Sequence, residues 1–176
     1  MEQTINETKL KIVKWLKEES FSPEEVKDPQ TFFNIEIRIG QIGLNVVQDL
    51  QHKDSIFVGG RLTPPEDLIT SFRNRTTPEI RRLFLLDLQI ALLGNRTVSE
   101  FQFTIGSSPD EFQKILIVSK RVYYDDLTKS SLVSTATAIQ KLILVIPVLM
   151  ERYASASSSR TQVLPTKPLT ALLMSE

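Results

Sequence analysis

Two groups of residues carry most of the chemistry that this sequence can offer. Arg73 and Arg75 lie close in sequence to Arg81 and Arg82. Such a cluster has the forked donors to grip phosphate or an acidic peptide. The bland alternative is a solvated edge, partly balanced by Glu66, Asp67 and Glu79. Asp87 lies within IRRLFLLDLQIALLG (residues 80–94), where nearly all else is apolar. On a helical wheel its neighbours are Ile80, Leu83 and Ala91. A carboxylate in that arc must be paired, because a lone buried charge is very costly. Arg61, Arg121 or an arginine of a second subunit are the expected partners; the functional alternative is an acid of raised pKa in a cleft.

The remaining candidates are weaker. His52 is the single histidine, near Asp49 and Asp54, and there is no cysteine. With neither a second histidine nor a thiolate, a metal site would need carboxylates alone. A polar loop between strands is where an idle histidine usually sits. No Ser-His-Asp set can be argued around one histidine. Gly40-Gln41-Ile42-Gly43 lies in a hairpin, not at a strand-to-helix junction, so it fails as a phosphate loop. Asp125-Asp126 is explained by the start of a helix. No cofactor and no metal are expected.

Bulk properties narrow the class. The chain has 176 residues, 41% hydrophobic and 24% charged, enough for one domain with a real core. Basic and acidic residues both number 21, so the net charge is zero. A dedicated nucleic-acid binder carries a clear basic excess, so nucleic acid is disfavoured as a partner. The N-terminus is charged throughout and lacks the apolar core of a signal peptide. The longest nearly apolar run, Leu142 to Met150, contains Pro147 and is too short to span a membrane. A cytoplasmic location is expected, with no membrane partner.

These residues must be positioned by an alternating series of elements. An amphipathic helix is expected over 4–20, with Ile5, Ile12, Val13 and Leu16 near one face. Ser22-Pro23-Glu24-Glu25 has the form of a capping box and predicts a turn of helix. In TFFNIEIRIGQIGLNVVQDL (31–50), Phe33, Ile35, Ile37 and Ile39 alternate with polar residues, and Ile42, Leu44 and Val46 repeat the pattern. That is a hairpin with one dry and one wet face, strands at 31–39 and 42–49, turning at Gly40-Gln41. A third strand is expected at 54–59, closed by Gly59-Gly60. Thr63-Pro64-Pro65-Glu66 and Thr76-Thr77-Pro78-Glu79 predict two helix starts, the second helix ending at Gly94. Strands follow at 98–105 and 112–120. A long helix is expected over 127–153, kinked at Pro147. The low-complexity stretch from Ala154 begins a flexible tail, 154–176, whose Pro168–Met174 segment is short and apolar.

The order is α-βββ-α-ββ-α. It predicts an α+β two-layer sandwich, a five-stranded antiparallel sheet with helices on one face, spanning 1–153 as a single domain. The wet face should carry Asn34, Glu36, Arg38, Asn45 and Gln102. The helix at 80–94 is apolar on most sides, so it needs a second cover, either within the chain or from another subunit.

GRLTPPEDLITSF after the third strand and VYYDDLTKSSLVSTATAIQKLILVI after the fifth resemble an archaeal family of small proteins without assigned function. That family is similar in fold to the type III secretion chaperones. The resemblance covers about 1–153. It implies a homodimer and a protein or peptide partner, and it carries no active-site residues to transfer. The chain is therefore expected to be a non-enzymatic, dimeric, chaperone-like interaction module. The alternatives are a small-ligand-binding protein or enzyme using a cleft around Asp87, and a nucleic-acid accessory protein using Arg73, Arg75, Arg81 and Arg82.

Overall fold

A computed structural model of the chain describes residues 2–40, 42–62, 64–94, 100–105 and 112–158. The fold is α+β, with the strands and long helices in the expected order. The helices are α1 (Glu2–Glu18), α2 (Glu66–Arg75), α3 (Pro78–Gly94) and α4 (Lys129–Ser158). The strands are β1 (Glu24–Glu25), β2 (Thr31–Ile39), β3 (Ile42–Asp49), β4 (Ser55–Leu62), β5 (Glu100–Ile105) and β6 (Phe112–Tyr123), in sheet order β1-β2-β3-β4-β6-β5. Within the span expected as one domain, the residues cluster into two compact units. The first is Met1–Arg61 with Val118–Gln140, the second Leu62–Ile117 with Lys141–Glu176.

In the first unit the period-2 pattern dictates the sheet. Ile39 pairs with Ile42 across the turn, Ile37 with Leu44 and Ile35 with Val46, all antiparallel. Gly40 sits at φ 63°, a left-handed conformation that glycine adopts without Cβ strain. Phe33, Ile35, Ile37, Leu44, Val46, Ile56, Val58, Val118 and Val122 are buried. So are Ile5, Ile12 and Leu16 of α1, and Leu132, Ala136 and Ile139 of α4. Gln140 Nε2 ties α4 to the hairpin by donating to the Ile39 carbonyl at 3.1 Å. The other sheet face is wet: Asn34, Glu36 and Asn45 are part-exposed and Arg38 is exposed, as expected. The Gln102 side chain lies outside the described residues.

Three local expectations are corrected. Ser22-Pro23-Glu24-Glu25 starts no helix. Glu24 and Glu25 instead pair with Glu36 and Ile35 as the edge strand β1, and Val26 N donates to Asn34 O at 2.8 Å. No apolar helical repeat follows the four-residue signal, so the open edge of β2 takes the backbone. α1 has already closed upstream, with Ser20 at φ 62° and Phe21 N donating to Leu16 O at 3.0 Å. This is the wrapped C-terminus of a Schellman-type turn.

Secondly, β4 does not end at Gly59-Gly60 but runs through both to Leu62. Gly59 pairs with Asn45 and Gly60 with Leu44. A Cβ on Gly59 would lie 2.9 Å from Ser119 Cβ, so the glycine marks a close approach, not a strand end. Thirdly, α4 is continuous through Pro147 to Ser158, four residues past the expected start of the tail at Ala154. Alanine and serine at 154–158 do not break a helix, and Tyr153 and Ala154 are buried and hold it.

In the second unit Ile69 and Phe72 of α2, Phe84, Leu88, Ala91 and Leu92 of α3, and Ile143, Ile146, Met150 and Tyr153 of α4 are buried. The Phe84 ring meets Phe72 at 5.1 Å and Tyr153 at 5.5 Å, both edge-to-face. The two predicted helix starts are real, but their caps differ. Pro65 is the N-cap of α2 and offers no side-chain bond, whereas Thr77 Oγ1 accepts from Ile80 N at 3.4 Å in α3.

By length and composition, residues Lys129–Ala156 of α4 are long and apolar enough to cross a membrane. This corrects the reading of Leu142–Met150 as the relevant run, because the helix joins it to apolar residues on both sides. The buried residues Leu132, Ala136, Ile139, Ile143, Ile146 and Met150 recur with the helical period, as in a helix with one face in a core.

Candidate functional site

The arginine cluster belongs to the second unit, and the bonds of Arg75 and Arg81 show what two of its members hold. α2 ends where Thr76 turns to extended backbone and its Oγ1 donates to the Phe72 carbonyl at 2.5 Å. The last carbonyls of a helix lack partners in their own helix. Arg81 supplies one: Nη1 donates to Arg73 O at 3.2 Å and to Thr76 O at 2.6 Å. Arg75 reaches α4, donating to Glu151 Oε2 at 3.5 Å and Ser155 Oγ at 3.3 Å. Arg73 and Arg82 lie exposed. Arg81 therefore fastens the α2–α3 junction and Arg75 ties α2 to α4, while Arg73, Arg75 and Arg82 stay exposed.

Asp87 is part-buried on α3, as the wheel suggested, but an arginine is not the partner seen. The Tyr153 hydroxyl of α4 donates to Asp87 Oδ2 in a short hydrogen bond. Burial first, then the bond to Asp87 and the charge of that carboxylate, push the Tyr153 hydroxyl far above its ordinary value. Tyr153 thus stays protonated and holds the carboxylate in place. A tyrosine 66 residues away carries no sequence mark that distinguishes it from any other core aromatic.

Among the described residues, one side of α3 is left exposed. Leu83, Leu86 and Ile90 are 40%, 51% and 50% exposed, while Phe84, Leu88 and Ala91 on the opposite side are buried. On α4, Leu144 and Val148 are 54% and 67% exposed. Isolated apolar residues on a surface are ordinary; Leu83, Leu86 and Ile90 instead keep helical spacing along one side of α3.

The first unit holds a second cluster, which sequence reasoning left as an idle loop. Asp49 turns the end of β3: its Oδ1 accepts from Gln51 N at 2.8 Å and His52 N at 2.6 Å, and its Oδ2 lies 2.8 Å from His52 Nδ1. Partial burial pushes the Asp49 carboxyl up. The bonds from the His52 ring and from the His52 and Gln51 amides outweigh it and hold the group below its ordinary value. Gln48 is fully buried beside it. Its amide donates to Lys53 O at 3.0 Å and its carbonyl accepts the Tyr124 hydroxyl in a short bond. Burial pushes the Tyr124 hydroxyl up, against the lowering by its bonds to Thr8 and Gln48. The alternation rule could have exposed this cluster: Gln48 falls on the dry side of β3, and a polar residue there must have partners.

Lys53 of the β3–β4 connection and Arg121 of β6 lie over aromatic rings of β2 and β4. Lys53 Nζ lies 5.9 Å from the Phe32 ring, and the Arg121 guanidinium 4.6 Å from the Phe57 ring. The His52 ring meets Phe57 edge-on at 5.6 Å. Among the described residues no group of three or more histidine and carboxylate side chains is placed to hold a metal ion.

The fold has a known counterpart. A crystal structure of an uncharacterized protein from Methanothermobacter thermautotrophicus superposes with a TM-score of 0.71 at 22% sequence identity, covering 87% of this chain and 99% of the other. At that identity the likeness concerns the fold alone. Comparison with curated proteins gives no match. A family of uncharacterized conserved proteins, DUF2299, matches residues 8–150. That span takes in the hairpin, α2, α3 and most of α4, and the chain belongs to this family.

Proposed function

We propose that this chain is a non-enzymatic, cytoplasmic interaction module that works as a homodimer, with α3 at the two-fold contact. The observation that carries the reading is the bare stripe Leu83, Leu86 and Ile90. Its spacing of three then four residues, continued in sequence by Leu93, is that of a coiled-coil seam. A seam of this kind is filled by another helix of the same period. A second copy supplies one, because a two-fold axis brings the same patch together from both sides. The resemblance of GRLTPPEDLITSF and VYYDDLTKSSLVSTATAIQKLILVI to an archaeal family similar in fold to the secretion chaperones supports the same reading. The Asp87–Tyr153 bond favours a structural role for Asp87 over catalysis in a cleft.

The test is the mass of the full chain in solution, by light scattering or sedimentation. The expected mass is twice 20.0 kDa, falling to one chain on Leu86→Glu with the circular dichroism of the fold retained. A wild-type chain that stays monomeric at every concentration it tolerates would overturn the reading.

A further inference from the structure

We infer that the exposed face of α4 around Leu144 and Val148 is the seat of a segment of this same chain, PLTALLM at 168–174. The inference goes beyond the interaction-module reading and does not rest on the dimer contact. α4 buries Leu142, Ile143, Ile146, Leu149 and Met150 in the second unit. Its opposite face carries the exposed Leu144 and Val148, with Val145 and Pro147 part-exposed beside them. The patch is bounded. Further along the same line of the helix stand Glu151 and Ser155, and both accept from Arg75 of α2. The exposed apolar stretch is therefore about one turn long.

A patch of that size decides what can occupy it. Contacts between free molecules become stable above ~1,000 Å² of buried surface, which two side chains do not supply. A segment tethered to the same chain needs far less, because its effective concentration at the patch is on the order of millimolar. Residues 159–176 lie outside the described residues, and they have the reach. Measured back along α4 from Ser158, Val148 is about 15 Å away and Leu144 about 21 Å. The connection 159–167 spans at most about 30 Å when extended, so it can double back to both. The chemistry also fits. Pro165 and Pro168 keep the segment from being a continuation of α4. Leu169, Leu172 and Leu173 stand at i, i+3 and i+4, one apolar side of a short helix. Such a helix is far below the roughly 12–15 residues that hold alone in water, so it forms only against an apolar surface. Leu144 and Val148 are spaced like Leu169 and Leu173, about 6 Å along a helix. The stripe of α3 is the poorer match, since Leu83 to Ile90 extends about 10 Å.

The chain has no cysteine, so a pair of introduced thiols reports on the contact without background. The full chain carrying Leu144→Cys and Leu173→Cys is oxidised with diamide. Linkage within one chain is followed by its mobility in non-reducing electrophoresis. A free tether also collides with the helix, so the decisive quantity is a ratio of rates. Adding Leu169→Glu and Leu172→Glu should slow the link at least about tenfold, because the charges abolish the docked state and leave only tethered collisions. The pair Leu86→Cys, Leu173→Cys should link slowly from the outset. Leu86→Glu added to the first pair should leave its rate unchanged, which separates failure of this inference from failure of the dimer. The substituted positions on α3 and α4 are exposed, and circular dichroism checks that each variant keeps its fold. Equal rates with and without the two glutamates, a link at Leu86→Cys as fast as that at Leu144→Cys, or links only between two chains would each overturn the inference.

Discussion

In the first unit the buried polar groups and the turn they hold are mutually satisfied. Gln48, sunk in the dry side of β3, meets two carbonyls and a tyrosine hydroxyl, and Asp49 meets two amides and a histidine ring. In the second unit a helix that could have been covered is left with leucine and isoleucine in water along one side. The first arrangement costs stability if any one partner is removed, because the others are left buried and unpaired. The second loses almost nothing within the chain when a surface leucine is changed, and shows its effect only in association. The contrast separates residues that build the chain from residues available to a partner, which neither apolar content nor charge does alone.

The largest single effect should come from the aromatic cluster of the second unit. Phe84 is fully buried between Phe72 and Tyr153. Phe84→Ala leaves a cavity of ring size and should cost about 3–5 kcal/mol, read as a fall in the midpoint of urea unfolding. The exposed Leu83 next to it, changed to alanine in the monomeric Leu86→Glu background, should cost about 0.5 kcal/mol or less. Similar losses at the two positions would mean that the stripe is packed and not bare.

Gln48→Ala should come next, at about 2–3 kcal/mol. Its removal takes a donor from the carbonyls of His52 and Lys53 and leaves the Tyr124 hydroxyl with Thr8 alone. Tyr124→Phe removes only one of those bonds and should cost less than half as much. If the two variants are equal, the network is not a hub around Gln48.

Much of the fold is legible because its signals are local. The hairpin bounds 31–39 and 42–49 follow from period-2 alternation and one glycine, and the structure keeps both. Other features depend on what comes alongside from a distance. Glu24-Glu25 is a strand only because β2 has an open edge, and Gly59 is required only because Ser119 lies against it. The same limit applies to the candidate site. The apolar character of 80–94 was readable, but which side would stay bare was not, since that is decided by Tyr153 and Phe72. Arg75 and Arg81 looked like a binding cluster because sequence shows their charge and not the Glu151 carboxylate or the helix carbonyls they serve.

A smaller effect than that of Gln48 bears on the polar side of the comparison and has a sign. The Asp49 carboxyl is held below its ordinary value of 3.8 in the folded chain. A group lowered on folding contributes stability that is complete above its unfolded pKa and disappears as pH falls through its folded pKa. Asp49→Asn keeps an oxygen to accept from the Gln51 and His52 amides but removes the charge that His52 Nδ1 faces. It should therefore cost about 1 kcal/mol at neutral pH. The difference between wild type and variant should narrow as the pH drops below 4, where the wild-type carboxyl begins to take up its proton. Urea midpoints across that range would show it. A constant difference down to pH 2 would mean that charge plays no part and that Asp49 acts only through the geometry of its turn.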